Sequence, residues 1–269
     1  MIVLRETRYR VFGSATFAGN PVTLFEVDGL DDGAALQHAA SRSSTTDNVF
    51  FVAADGTPLK ARFFSSTAEL WLCGHGLLAL SHHMHAAGAT GAREVLSPYD
   101  SSSGTPYRTW QLYADAQAPG VLMPAQRSTE IPDHTHWMHQ ALRKSGIPSQ
   151  CLYACPNGVS IVVLREKDEL LRLDADAIAA LPVGNNTPGA LIAALRLPDG
   201  GYGFRYFAPW HGKPEDSGTG SAHSYLAPLL AAARTPVTAL QFSPEGVAEM
   251  RVLLLDHAVA LSGNVELCT

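Results

Sequence analysis

Two stretches of this chain run through the same order of features, and that repetition limits the folds open to it. The first is Phe63-Phe64-Ser65-Ser66-Thr67-Ala68-Glu69, continuing to Cys73-Gly74-His75-Gly76. The second is Tyr206-Phe207-Ala208-Pro209, continuing to Glu215-Asp216-Ser217-Gly218-Thr219-Gly220. In each, a strand-like aromatic run leads into a loop carrying Glu, then a glycine turn, then an apolar stretch of helical length. The distance between the copies far exceeds the roughly 20–50 residues of solenoid repeats. The pattern therefore predicts two similar domains rather than a repeat array.

The rest of the chain fits alternating strands and helices. Ile2–Val11, Pro21–Val27, Val49–Ala53 and Leu59–Ser65 are short, rich in β-branched and aromatic residues, and bounded by turn signals, so they read as strands. Asp31–Arg42 reads as a helix with an acidic first turn. Gly74–Ala87 is apolar at nearly every position, which predicts a helix buried on all sides. Ser97–Pro106 has the composition of a loop, Tyr107–Ala114 and Gly120–Met123 are extended, and Pro124–Pro132 is a polar connection. Later strands are expected at Ser160–Leu164, Gly203–Phe207, Val247–Leu254 and Ala258–Ser262, with an apolar helix at Thr219–Ala233. The expected class is α/β (α+β), with domains over 1–118 and 119–269 and the last strand able to return to the first domain.

The 269 residues carry 19 Lys and Arg against 25 Asp and Glu, a net charge of -6 without any basic cluster, which argues against nucleic acid as a partner. With 46% hydrophobic and 16% charged residues the chain has material for a sizeable core and is not disordered. No apolar run approaches the roughly 20 residues of a membrane helix. The start, Met-Ile-Val-Leu-Arg-Glu, meets charge too early for a signal peptide, so a cytoplasmic protein is expected. Cys73, Cys151, Cys155 and Cys268 are then expected as reduced thiols.

The glycine turns carry the chemical signal. Helix N-termini expose unpaired N–H groups and a partial positive charge, and glycine lets a ligand approach the backbone. The turns at Cys73–Gly76 and Ser217–Gly220 both offer this beside titratable side chains, which suits a small substrate bearing a carboxylate. The clusters His82-His83-Met84-His85 and His134 to His139 have no Cys or carboxylate at a usual ligand spacing, so no metal is expected. A G-x-S-x-G elbow around Ser217 or Ser221, a phosphate loop, and a dinucleotide fingerprint are all absent.

Four blocks resemble the phenazine-biosynthesis PhzF-like family, of the diaminopimelate epimerase-like fold. They are Phe17-Ala18-Gly19-Asn20-Pro21, Thr46-Asp47-Asn48-Val49-Phe50-Phe51, Thr67 to His75, and Phe207-Ala208-Pro209-Trp210 with Pro214 to His223. The resemblance spans most of the chain. It implies two domains, each a curled mixed sheet around a central helix, with the active site between them. It also implies a homodimer and cofactor-free proton shuttling on small carboxylic acids, such as the isomerisation of 2,3-dihydro-3-hydroxyanthranilate, in secondary metabolism including antibiotic routes.

Carried over residue by residue, the family's acid/base Glu falls at Asp47, a departure that shortens the reach by one methylene. His75 matches the His of the family's Gly-His block, Asp216 the second site carboxylate, and Ser221 a substrate-contacting hydroxyl. Asn20, Cys73, Gly74, Gly76, Ser217, Gly218, Thr219 and Gly220 are expected to bind substrate, and His223 is a weaker candidate one turn further on. Diaminopimelate epimerases and proline racemases instead use two opposed cysteines. Cys73 looks like the first, while Ser217 is read at the partner position. A serine hydroxyl is a poor base, so two-base racemisation is disfavoured, and a dehydratase or epimerase using Cys73 and Ser217 is kept as the alternative. A non-catalytic metabolite-binding homologue is the other reading.

Overall fold

The computed structural model describes residues 1–52, 59–89, 91–97, 108–114, 119–132, 139, 142–143, 146, 151–181, 189–211 and 213–268. Most of the loop expected over Ser97–Pro106, together with Tyr107, His134 and His136, lies outside these residues. The chain forms two compact units. One comprises Met1–Met123 with Ala260–Thr269, and the other Pro124–Val259.

In the first unit Val3–Val11 pairs antiparallel with Asn20–Val27, which runs parallel to Asp47–Val52. That strand pairs antiparallel with Leu59–Ser65, which lies parallel to Arg93–Ser97, itself antiparallel to Arg108–Ala114. Pro119–Pro124 and Ala258–Gly263 follow on that side, and Val265–Leu267 pairs with the far edge of the first strand. The helix Gly74–Ala86 packs on strands from across this sheet, Val3–Val11, Asn20–Val27, Asp47–Val52 and Arg108–Ala114. Its residues Gly74 to Ser81 are all buried, but His82, His83 and Met84 are half-buried and His85 and Ala86 exposed, so the expected burial on all sides holds only for the first two turns. The Leu77 N–H donates to the Cys73 carbonyl at the first turn, and Gly88, at φ +88°, follows the last. A second helix, Gly33–Ser41, covers the other face, with Leu36 and Ala40 against Phe25, Phe50 and Phe64. The acidic residues expected inside its first turn precede it. Asp32 is the N-cap, its carboxylate accepting from the Ala35 N–H at 2.9 Å.

The second unit repeats this wiring. Cys151–Ala154 pairs antiparallel with Val159–Val163, which runs parallel to Ala190–Arg196. That strand is antiparallel to Tyr202–Ala208, which lies parallel to Pro236–Ser243, itself antiparallel to Gly246–Leu254. Short helices at Lys167–Leu171 and Ala175–Ala179 cover one face with Leu170 and Ile178. The helix His223–Leu230 packs on Ala190–Arg196 and Gly246–Leu254. It is shorter than the Thr219–Ala233 read from composition. Gly220–Ala222 is a 3-10 turn, Pro228 stands in the last turn, and Ala231 is already extended. The Arg196 guanidinium takes the carbonyls of Leu229 and Leu230, and Ala233 bridges to Leu254. The strands Ala190–Arg196 and Pro236–Ser243 go unassigned in the sequence. The first is buried along Ala190 to Leu195, and a short apolar run of that kind reads as strand or helix alike.

Candidate functional site

Each unit gathers part of the expected constellation at the start of its central helix. In the first, Asp47 opens a central strand, with Val22 beside it on the parallel neighbour and Ser65 on the antiparallel one. Asn20 lies two residues before Val22, on the same face of the sheet by strand alternation. Gly19 before it sits at φ +95°, where a Cβ would come within 2.9 Å of the Arg10 Cβ, so the bend into Asn20 requires glycine.

The Asp47 carboxylate is buried. Its Oδ2 lies 3.7 Å from His75 Nε2 and accepts from the Thr46 hydroxyl at 3.2 Å. The turn behind it is held by the Thr45 hydroxyl, 3.0 Å from the Asp47 carbonyl and 2.8 Å from the Thr23 hydroxyl. His75 is the second residue of the helix, and its ring is buried too. Cys73 Sγ stands 3.7 Å from His75 Nδ1 and 3.8 Å from Nε2. The near-equal distances put the sulfur in line with neither ring nitrogen. Gly76 completes the turn. A Cβ there would meet Val49 Cγ2 at 2.6 Å and Cys73 Sγ at 2.8 Å, so glycine lets this helix start seat against the Asp47 strand.

In the second unit the buried Asp216 carboxylate is held from two sides. Lys213 Nζ lies 2.7 Å from Oδ1, and the Thr219 hydroxyl donates to Oδ2. The fully buried Gln241 side chain locks the turn, its amide N–H groups donating to the Asp216 carbonyl and the Thr219 hydroxyl and its oxygen accepting from the Thr219 N–H. Across the strand pair from Asp216 stands Tyr206. Burial first, and then the negative charge of Asp216, push its phenol well above the usual range, with Lys213 opposing. Gly218, Gly220 and Ser221 continue the turn into the helix.

Two expected roles change. The residue capping the 3-10 turn that leads into the helix of this unit is Thr219, followed by Gly220 as Cys73 is by Gly74 and with backbone angles near those of Cys73, so Thr219 rather than Ser217 stands at the position of Cys73. The Ser217 hydroxyl instead donates to Glu245 Oε2 at 2.8 Å. His223 is a core histidine. Nδ1 shares a hydrogen with the Tyr202 hydroxyl at 2.6 Å, Nε2 faces the Met250 sulfur, and complete burial pushes its pKa down to about 3. Among the described residues no group of three His, Cys, Asp or Glu gathers as metal ligands, and no helix is long and apolar enough to cross a membrane. In the first histidine cluster, His83 Nδ1 lies 2.9 Å from the Tyr9 hydroxyl. In the second, His139 Nε2 lies 2.9 Å from the Ile131 carbonyl.

The sequence profile of the family described as "Phenazine biosynthesis-like protein" matches residues 9–246. The chain belongs to this family. An uncharacterized isomerase of Pseudomonas aeruginosa is 28% identical over 268 residues, covering 95% of this chain and 96% of that protein. A phenazine biosynthesis PhzC/PhzF protein from Clostridium difficile superposes with a TM-score of 0.76 at 20% identity, covering 98% of this chain and 96% of the other. A hydroxyproline epimerase from Agrobacterium vitis superposes at 0.55 and 9% identity, covering 100% of this chain and 92% of the other. The phenazine biosynthesis-like chain therefore has the diaminopimelate epimerase-like fold, as its sequence blocks imply.

Both helix starts of this family member are tied to their sheets by the same device, which sequence reading missed. Arg62 grips Glu69 with Nε and Nη2 at 2.7 and 2.6 Å and donates from Nη1 to the Leu30 carbonyl at 2.7 Å. Arg205 grips Glu215 with the same two atoms, both at 2.7 Å, and donates from Nη1 to the Leu173 carbonyl at 2.7 Å. Each guanidinium also lies over the ring two residues on, Phe64 and Phe207. The signal was present: Arg62-Phe63-Phe64 against Arg205-Tyr206-Phe207, and a Glu five residues before Gly74 and before Gly220.

Proposed function

We propose that this chain is a cofactor-independent isomerase that moves a proton and a double bond within a small carboxylic acid or cyclic amino acid. The observation that carries the reading is the buried Asp47–His75 pair at the start of the central helix, a carboxylate and an imidazole 3.7 Å apart. Asp47 takes a proton from an activated C–H. The electron pair shifts the adjacent double bond, and the proton returns at the far carbon of the rearranged system. His75, 3.7 Å from that carboxylate, holds or relays the proton. In the second unit, Asp216 with Thr219 and Ser221 is read as a substrate-positioning group at its own helix start. The N–H groups at a helix start such as Gly74–Gly76, or Gly218–Gly220 in the second unit, are suited to steadying negative charge that develops on a substrate. The isomerase names of relatives such as the Pseudomonas aeruginosa protein support the reaction class. A homodimer and a place in secondary metabolism or antibiotic formation belong to the same reading and rest on the family resemblance alone.

The Cys73 thiol beside His75 favours one variant of this scheme, an epimerase or dehydratase in which the thiol is the base. One experiment separates the two. Dihydro-hydroxyanthranilate and a panel of unsaturated cyclic amino acids are incubated in D2O with wild type, Asp47→Asn and Cys73→Ala, and deuterium incorporation is followed by NMR. Exchange by wild type and Cys73→Ala but not by Asp47→Asn is the expected result. Exchange lost only in Cys73→Ala transfers the base role to the thiol. Binding of a panel acid with no exchange by any form marks a non-catalytic carboxylate-binding protein and refutes the isomerase.

A further inference from the structure

Lys213 and Asp216 lie on the short strand Lys213–Asp216, three residues apart. On a regular strand, side chains three apart point to opposite faces. Here they meet, because the strand is bulged against its neighbour. Asp216 is opposite Tyr206 and Lys213 opposite Ala208, so a three-residue step on one strand answers a two-residue step on the other. A bulge of this kind re-aims one side chain, and it brings Lys213 Nζ to 2.7 Å from Asp216 Oδ1. The two partners differ in burial. The Asp216 side chain is 8% exposed and that of Lys213 34% exposed, so the lysine is the more accessible partner.

The other contacts of Asp216 fix what the carboxylate does. With the ammonium on one oxygen and the Thr219 hydroxyl on the other, it is an acceptor on both sides. Glu215, next in the chain, is occupied by Arg205. An ammonium carries three N–H donors in a flexible fan and can engage two carboxylates together. Asp216 is therefore suited to anchoring a cation and orienting the Thr219 hydroxyl.

Resting on the isomerase reading of this site, we propose that Lys213 is a substrate-binding residue: tethered by Asp216 through the bulge, its ammonium receives the carboxylate of the substrate. The site thereby selects an anionic acid over its neutral amide or ester, and Asp216 serves as a positioning residue.

The test uses the whole chain, with 15N-labelled lysine, and the probes 2-aminobenzoate and its neutral analogue 2-aminobenzamide. The Lys213 Nζ signal is assigned by its loss in Lys213→Arg. Titration of wild type with 2-aminobenzoate is expected to move that signal, and the amide to leave it in place. Lys213→Met is expected to bind the acid at least tenfold more weakly and Lys213→Arg within threefold of wild type, with thermal melts confirming that both are folded. Asp216→Asn, which loosens the tether, is expected to weaken acid binding while leaving Lys213 in place. An unmoved Lys213 signal in wild type, or equal affinity of Lys213→Met and wild type for the acid, overturns the proposal. The D2O exchange experiment fails or succeeds separately. Acid binding through Lys213 without any isotope exchange keeps this inference and removes the isomerase. Exchange whose KM is indifferent to Lys213→Met does the reverse.

Discussion

Replacing Arg205 by Met tests whether the Arg–Glu grip is what holds the second helix start in place. The side chains of Arg205 and Glu215 are 7% and 8% exposed, and three of the guanidinium's N–H donors go to the two carboxylate oxygens and the Leu173 carbonyl. The substitution leaves a buried carboxylate without its cation and orphans that carbonyl. Removing one partner of such a pair costs about 3–5 kcal/mol. A unit of this size loses about 3–4 °C per kcal/mol, so the melting temperature falls by roughly 9–20 °C. The equivalent change at Arg62 costs less, about 1–3 kcal/mol, because that pair is 14% and 25% exposed and water takes up part of the loss. Calorimetry and urea melts followed by tryptophan fluorescence compare Arg205→Met, Arg62→Met and the double variant Arg205→Met/Glu215→Leu. The double variant is expected to recover much of the loss, since it buries no charge. An Arg205→Met protein within about 1 kcal/mol of wild type refutes the reasoning, as does a double variant less stable than the single one.

His223 sets a pH dependence of its own. Its folded pKa is near 3 against an unfolded value of about 6.5, so the unfolded chain binds the proton first and stability rises with pH. Stability is expected to fall from pH 6.5 downward, by about 2 kcal/mol from this group at pH 5, and His223→Leu should flatten that part of a melting profile; an unchanged profile would sink the assignment. Gly76→Ala should lower stability by about 1–3 kcal/mol, because the new methyl meets Val49 and the Cys73 sulfur. Thermal melts and Cys73 alkylation rates check it, with faster alkylation expected as the turn is pushed off the sheet.

The legible parts of this protein were those in which local chemistry and tertiary structure agree. Leu77 to Leu80 are apolar on every side, and that part of the helix is buried on every side, whereas its end from His85 is exposed. Asp47, His75 and Asp216 were singled out by their sequence blocks; the first two lie 3.7 Å apart in the structure and the third stands in the second unit's turn. What stayed hidden was set by pairing and register. Nothing in Pro236–Ser243 announces that it will run parallel to Tyr202–Ala208, and the counterpart of Cys73 was misplaced by two residues because a glycine follows both Ser217 and Thr219. Lys213 was invisible for a related reason. Its approach to Asp216 depends on a bulge, and a bulge is a relation between two strands.

The division of the chain has a consequence for its synthesis. The second unit interrupts the first, which takes residues 260 onward as its own. A ribosome that has finished Met123 must add the 136 residues of Pro124–Val259 before those last strands exist, roughly 7–27 s at ordinary elongation rates. Through that interval the edge at Tyr9–Val11, later covered by Val265–Leu267, stands open beside a helix already able to collapse onto the sheet. The nascent first unit is thus the stage most exposed to wrong pairing, and the second unit the one able to finish first.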